Sequence, residues 1–244
     1  MSQQQRFQAP PRKKNALDEY KLRLSGKPQQ GATKPPSLAF SIVKNMPHID
    51  VYTNVPNDKD NGRIKANMDA PTFFALLQLL DQAINSEGPV KFKIENKNFV
   101  WPKGERSKEP VTVSTTVVGK GSDGRVFISV VAYDKSRPII PFYFGPSSFH
   151  NIIDGEGNPM AEGEVSKAYA RGYLRLLYSL VPSVLTSEHV EPEQRQQNGG
   201  SGYRGQGGGG GQGGGNGGSN RWNNDSAPKE SGGAADSWDD DFPM

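Results

Sequence analysis

Lys91, Lys93 and Lys97 punctuate the stretch VKFKIENKNFVW, which ends in Phe99 and Trp101. Lys103, Arg106 and Lys108 follow at once. A second stretch, RVFISVVAYD, sets Arg125, Phe127 and Tyr133 opposite Val126, Ile128 and Val130, with Lys135 and Arg137 just beyond it. Tyr52, Arg63 and Lys65 repeat the mixture earlier in the chain. Cationic side chains at alternate strand positions can follow a row of phosphates, and aromatic faces can stack on unpaired bases. Such stacking tolerates any base and contributes about 1–3 kcal/mol per base. Taken singly, each residue also fits an ordinary surface, because alternating lysines protect strand edges and strand aromatics usually face a core. The ensemble carries the argument. Lys167, Arg171 and Arg175 form one further stripe, four residues apart and near Tyr178, that fits phosphate contact and a solvated helix face equally well.

Other chemistries find less support. There is no cysteine, which removes disulfides, thiolate metal sites and a cysteine nucleophile. His48, His150 and His189 stand alone, without partners at metal-ligand spacing. GKGSDG (119–124) matches G-x-G-x-x-G, but a strand rather than a helix follows it, so a hairpin turn is expected instead of a dinucleotide site. Asp154, Glu156, Glu162 and Glu164 cluster in sequence; a solvated acidic loop is the plainer reading, and a Mg²⁺-dependent nuclease site the sharper one. No catalytic constellation emerges, so neither an enzyme nor a cofactor is expected.

The elements that must position these residues follow from periodicity. SLAFSIVKN (37–45), HIDVYTNV (48–55) and GRIKANMD (62–69) predict strands, the first two separated by Pro47. Phe73, Leu76, Leu77, Leu80 and Ile84 then recur at helical spacing, with Asp69 as N-cap and Gly88-Pro89 as the stop. Strands are predicted again at 90–101, 111–118, 125–134 and 139–145, where Tyr143 alternates with Phe142 and Phe144. A helix over 164–185 follows, with Tyr169, Tyr173, Leu176, Leu177 and Leu180 as its buried stripe. The expected fold is α+β: antiparallel sheets and two helices in a strands-then-helix pseudo-repeat.

Charge is segregated along the chain. Residues 1–37 carry a net +6, residues 38–190 a net +1 and residues 191–244 a net −4. This suggests a flexible basic arm (1–37) in which Leu17, Tyr20 and Leu24 could mark a short helix, a nucleic-acid-binding domain (38–190), a disordered linker (191–235) and an acidic tip (236–244). Fourteen of the residues 199–218 are glycine, and the linker segment would have a mean span of about 35–40 Å. The opening MSQQQRFQAPPRKKN lacks the apolar core of a secretory signal, and no apolar run approaches the ~20 residues that span a bilayer. A soluble cytoplasmic protein is expected.

The basic arm, β-rich body, glycine-rich linker and closing WDDDFPM together resemble single-stranded DNA-binding proteins of bacteria and their phages. In the bacterial proteins an acidic run with a Pro/Phe pair docks replication, recombination and repair partners and competes with DNA for the basic groove. The resemblance implies that Asp239, Asp240, Asp241, Phe242 and Pro243, with Trp238 beside them, dock partners. Phe before Pro and a terminal Met244 depart from that pattern. The body is similar to Whirly-type binders and, in organisation, to phage single-stranded DNA-binding RNA polymerase cofactors. The family's commonest fold, the OB barrel, is the alternative, with residues 38–101 as its core and the rest as additions. The plant Whirly lysine-glycine-lysine strand motif is absent. These likenesses imply a phage-encoded, sequence-independent single-stranded DNA-binding protein in the host cytoplasm, acting in replication, recombination or transcription. They also imply a homo-oligomer with a polymerase or similar protein as partner. SGYRGQGG (201–208) leaves a glycine-rich RNA-binding protein open.

Overall fold

A computed structural model describes residues 14–101 and 104–191. Four short strands come first: β1 (Leu24–Ser25), β2 (Ser37–Val43), β3 (Met46–Tyr52) and β4 (Arg63–Asn67), followed by helix α1 (Ala70–Asn85). The plan then recurs as β5 (Val90–Asn98), β6 (Val111–Lys120), β7 (Val126–Ala132), β8 (Phe142–Tyr143) and helix α2 (Glu162–Ser187). Each set of strands forms one four-stranded antiparallel sheet in sequence order. The α+β class is therefore as expected.

Alternation decides which face of each sheet is buried. Leu38, Phe40 and Ile42 of β2, Ile49 and Val51 of β3 and Ile64 and Ala66 of β4 share a core with Val118, Val126, Ile128, Val130 and Phe142 of the second sheet. Both helices pack into the same core through Phe73, Leu76, Leu77 and Leu80 of α1 and Ala170, Leu174, Leu177 and Val181 of α2. Each sheet thus turns its other face away from that core. Helix α1 starts where Asp69 accepts the Thr72 amide at 2.7 Å, which satisfies one of the orphan donors of the first turn. Its far end is held by Lys120, a buried residue whose Nζ donates to the Ser86 carbonyl.

Several local expectations are corrected. Pro47 does not separate the first two strands; it lies inside β3 opposite Ile42. The turn is Lys44–Asn45, both at positive φ (49° and 64°), as the right-handed twist of a two-residue hairpin demands. Residues 16–24 form two 3₁₀ turns, Ala16–Asp18 and Tyr20–Leu22, rather than one α-helix. They are not a free arm: Leu17 and Leu24 are buried, and the Tyr173 hydroxyl donates to the Leu22 carbonyl. The strand expected over 139–145 shrinks to Phe142–Tyr143. Pro138 and Pro141 supply no N–H to a ladder, and Ile140 is held instead through its carbonyl by Ser129 Oγ at 2.8 Å. The buried stripe of α2 is rotated from the expected one, with Leu177 common to both. Ala170, Leu174, Leu177, Val181 and Val184 face inward, while Tyr169, Tyr173 and Leu180 sit at the margin.

Candidate nucleic-acid interface

The register of the second sheet assembles the site row by row on its outer face. Lys91, Gly119, Phe127 and Tyr143 lie side by side across β5, β6, β7 and β8. The next row is Lys93, Val117 and Ser129, and the next Glu95, Thr115 and Val131. A bulge after Asn96 brings Lys97 opposite Thr112. Asn96 itself turns inward, where its amide donates to Thr116 Oγ1 at 3.0 Å. The result is a column of Lys91, Lys93, Glu95 and Lys97 along the edge strand, in which Glu95 pairs with Lys97 at 3.0 Å, a small buried cluster of Val117, Phe127 and Val131 beside it, covered by Ile139 and Tyr143, and an aromatic residue at the far side.

That aromatic is Tyr143. The Arg125 guanidinium carbon lies 4.2 Å from the centre of its ring. Asp123 fixes the arginine in turn, accepting from Arg125 Nε at 2.7 Å, and Glu162 adds a contact at 3.5 Å. Burial pushes the Tyr143 phenol above its ordinary value, against a smaller opposing effect of Arg125, so the hydroxyl stays protonated at neutral pH. Tyr143, rather than Phe127, is the partly exposed aromatic of this row. Its only sequence signal is the alternation with Phe142 and Phe144. Phe127 does face away from the main core, but it is 0% exposed. It lies beneath the site, edge-on to Tyr143 at 6.1 Å and roofed in part by Ile139. Gly119 makes room for it: a Cβ there would lie 3.0 Å from Phe127 Cζ and 2.4 Å from the Val90 carbonyl oxygen.

The β5–β6 connection extends the site at one end. Val100 and Ser107 close the loop, with Ser107 N–H donating to the Val100 carbonyl at 2.7 Å and Val100 N–H to Ser107 Oγ at 3.2 Å. Arg106 stacks on Phe99, its guanidinium carbon 3.6 Å from the ring centre. Trp101 stands out beside them, 62% exposed. Lys103 lies outside the described residues. At the end of β7, Tyr133 keeps the outward parity and is 69% exposed, with its N–H donating to the Val113 carbonyl. Lys135 is exposed just after it.

Other candidates lie elsewhere. Tyr52, Arg63 and Lys65 occupy the outer face of the first sheet, where Arg63 pairs with the buried Asp50 at 2.9 Å and its guanidinium carbon lies 5.6 Å from the Tyr52 ring centre. Arg137, expected to contact phosphate, is buried, and its guanidinium grips Asp58 and the carbonyls of Lys59 and Arg63. Arg171 and Arg175 are exposed on α2, and Arg171 donates to Asn85 at 3.0 Å. The four acids that suggested a nuclease do not converge. Asp154 accepts the amides of Glu156 and Asn158, Glu162 reaches Arg125, and Glu164 reaches Lys167. Among the described residues no group of three His, Asp or Glu is placed to hold a metal ion. GKGSDG forms the β6–β7 turn, with Gly124 at φ +77°. Among the described residues no helix is long and apolar enough to cross a membrane. The tip residues Trp238, Asp239, Asp240, Asp241, Phe242 and Pro243 lie outside the described residues.

Comparison of the chain with protein-family models, with curated proteins and with solved structures finds no match.

Proposed function

We propose that this chain is a non-enzymatic, sequence-independent single-stranded DNA-binding protein, and that the strand lies across the outer face of the β5–β8 sheet. One observation carries the reading: Lys91, Lys93 and Lys97 share a face with the Arg125–Tyr143 stack, with Glu95 between them paired to Lys97 at 3.0 Å. Lysines on alternate positions of one strand follow the phosphates, while Tyr143, Trp101 and Phe99 offer faces to the bases. The outer face of the first sheet supports this role less well, because Arg63 there is held by a buried carboxylate, Asp50, whereas the Lys97–Glu95 pair on β5 is exposed on both sides. The strands-then-helix order, twice over, favours a Whirly-type arrangement over a five-stranded barrel.

The test is titration of the full chain with oligo-dT, with RNA of matching sequence and with duplex, over a range of salt. Binding to dT should weaken with log salt at about −0.7 per phosphate neutralised. Equal or tighter affinity for duplex sinks the reading, and a clear preference for RNA moves it to the glycine-rich RNA-binding class. The acidic tip, with Trp238, Phe242 and the aspartates between them, docks a replication or transcription protein in this reading. Deleting residues 236–244 should abolish that contact and tighten DNA binding.

A further inference from the structure

Between β8 and α2 the chain makes a tongue over residues 145–161. It is a built hairpin. Ile153 bridges to Pro159, Asp154 N–H donates to the Asn158 carbonyl at 2.8 Å, and the Asp154 carboxylate collects the Glu156 and Asn158 amides at 2.9 and 2.8 Å. Yet it leaves Phe149 91% exposed, with Ile153 and Met160 exposed nearby. Large apolar side chains exposed along one projecting segment mark a contact surface. Beside the tongue lies an open apolar groove of about 330 Å³, lined by Ile152, Ala168, Tyr169, Gly172, Tyr173 and Leu176. Gly172 is in the interior of α2, where glycine costs about 1 kcal/mol relative to alanine. No atom lies within 4 Å of the position its Cβ would take. The helix therefore keeps an opening there that its own packing does not require.

Charge identifies what fills it. The tongue carries Asp154 and Glu156 and neither lysine nor arginine. The stretch of α2 that forms the groove, residues 167–175, carries no acid; Lys167 there is paired with Glu164, which leaves Arg171 and Arg175 as its exposed guanidinium groups. An acidic tongue with an aromatic knob and a basic helix flank with an apolar hole are complementary to one another, and both belong to the same chain. We propose that two copies of this chain exchange tongues about a two-fold axis, Phe149 of each entering the α2 groove of the other while Glu156 faces Arg175. A self-complementary patch of this kind closes as a dimer. The tongue with the groove-facing residues of α2 supplies a little over the ~20 residues a side typical of a stable interface. The lysine column lies on β5, at the opposite edge of its sheet from β8 and the tongue, so the lysines of the proposed nucleic-acid face stay open in the dimer.

Sedimentation equilibrium of the full chain without nucleic acid tests this independently of the DNA-binding reading. The chain should dimerise. Phe149→Ala, and Gly172→Leu, which plugs the hole, should each weaken the dimer at least about tenfold. In dilute solution Phe149→Ala should melt as the parent does, and Gly172→Leu at or above it. Glu156→Arg and Arg175→Glu should each weaken it, and the two combined should restore it. A monomer at every concentration overturns the proposal. So does a dimer indifferent to Phe149→Ala and to the charge changes, or a ladder of oligomers growing with concentration, which a closed two-fold exchange forbids.

Discussion

Arg137 forks onto Asp58, Nε to Oδ1 and Nη2 to Oδ2, both at 3.0 Å, with both side chains buried. The same guanidinium donates to the Lys59 and Arg63 carbonyls at 3.0 and 3.2 Å. It thereby ties the β3–β4 loop of the first sheet to the β7–β8 loop of the second. Lys59 pairs with Asp134 alongside. Removing one partner of a buried pair strands the other charge and typically costs about 3–5 kcal/mol. Arg137→Ala should lower stability in urea denaturation by about that amount. Arg137→Lys should recover only part of it, because an ammonium cannot reproduce the fork. Neither change should alter the salt slope of nucleic-acid binding by the folded protein; a fall of about 0.7 would mean that Arg137 touches phosphate after all.

The same fork sets an acid limit. Burial alone would raise the Asp58 carboxyl, but bonds from Arg137 and Thr53 and the guanidinium charge outweigh it and hold it below 3.8. A carboxyl depressed in the folded state stabilises above its unfolded value, and that contribution is lost as pH falls through the folded one. Below pH 3.8 the parent should therefore lose stability more steeply than Asp58→Asn, which is weaker throughout but does not titrate there. Parallel slopes in denaturant melts across that window would exclude Asp58 as the source.

How far the sequence discloses this arrangement depends on the kind of constraint. Helix α1 is fully legible, because its cap, its stripe of Phe73, Leu76, Leu77, Leu80 and Ile84 and its stop agree. The outward lysines of β5 are legible because alternation alone fixes their parity. Phe127 is legible only in part: its parity is right and its exposure is not. Whether an outward residue is covered depends on Ile139 and Tyr143, which arrive from a later loop. Arg137 is misread for the same reason. Its partners Asp58 and Asp60 lie nearly 80 residues away, and no local pattern distinguishes a buried arginine from a phosphate-binding one. In α2 two stripes compete, and the aliphatic one wins the core. Tyr173 then stays at the margin, where its hydroxyl meets the Leu22 carbonyl.

On the proposed face, charge and stacking should separate cleanly. Lys91→Ala, Lys93→Ala and Lys97→Ala should each reduce the salt slope for dT binding by about 0.7 if each neutralises one phosphate. Tyr143→Ala should weaken binding by about 1–3 kcal/mol and leave the slope unchanged, while Tyr143→Phe keeps the stacking face and most of the affinity. Lys65→Ala, on the first sheet, serves as the control and should change neither quantity. An effect of Lys65→Ala equal to that of Lys93→Ala would move the strand to the other face.

Gly119 links the fold to this face most tightly. It lies between Lys91 and Phe127 in the row that ends at Tyr143. A methyl group there would approach the Val90 carbonyl oxygen to 2.4 Å and Phe127 Cζ to 3.0 Å. The carbonyl belongs to the strand backbone, so relief requires β5 to move away from β6 just where Lys91 begins the lysine column. Overpacking of this kind typically costs about 1–3 kcal/mol. Gly119→Ala should therefore lower the melting temperature and weaken dT binding together. Lys91→Ala, an edge-strand change that leaves the β5 backbone in place, should weaken binding with a smaller fall in melting temperature. Paired melts and titrations of the two variants check this. Parent-like binding by a destabilised Gly119→Ala would show that the strand does not cross this row.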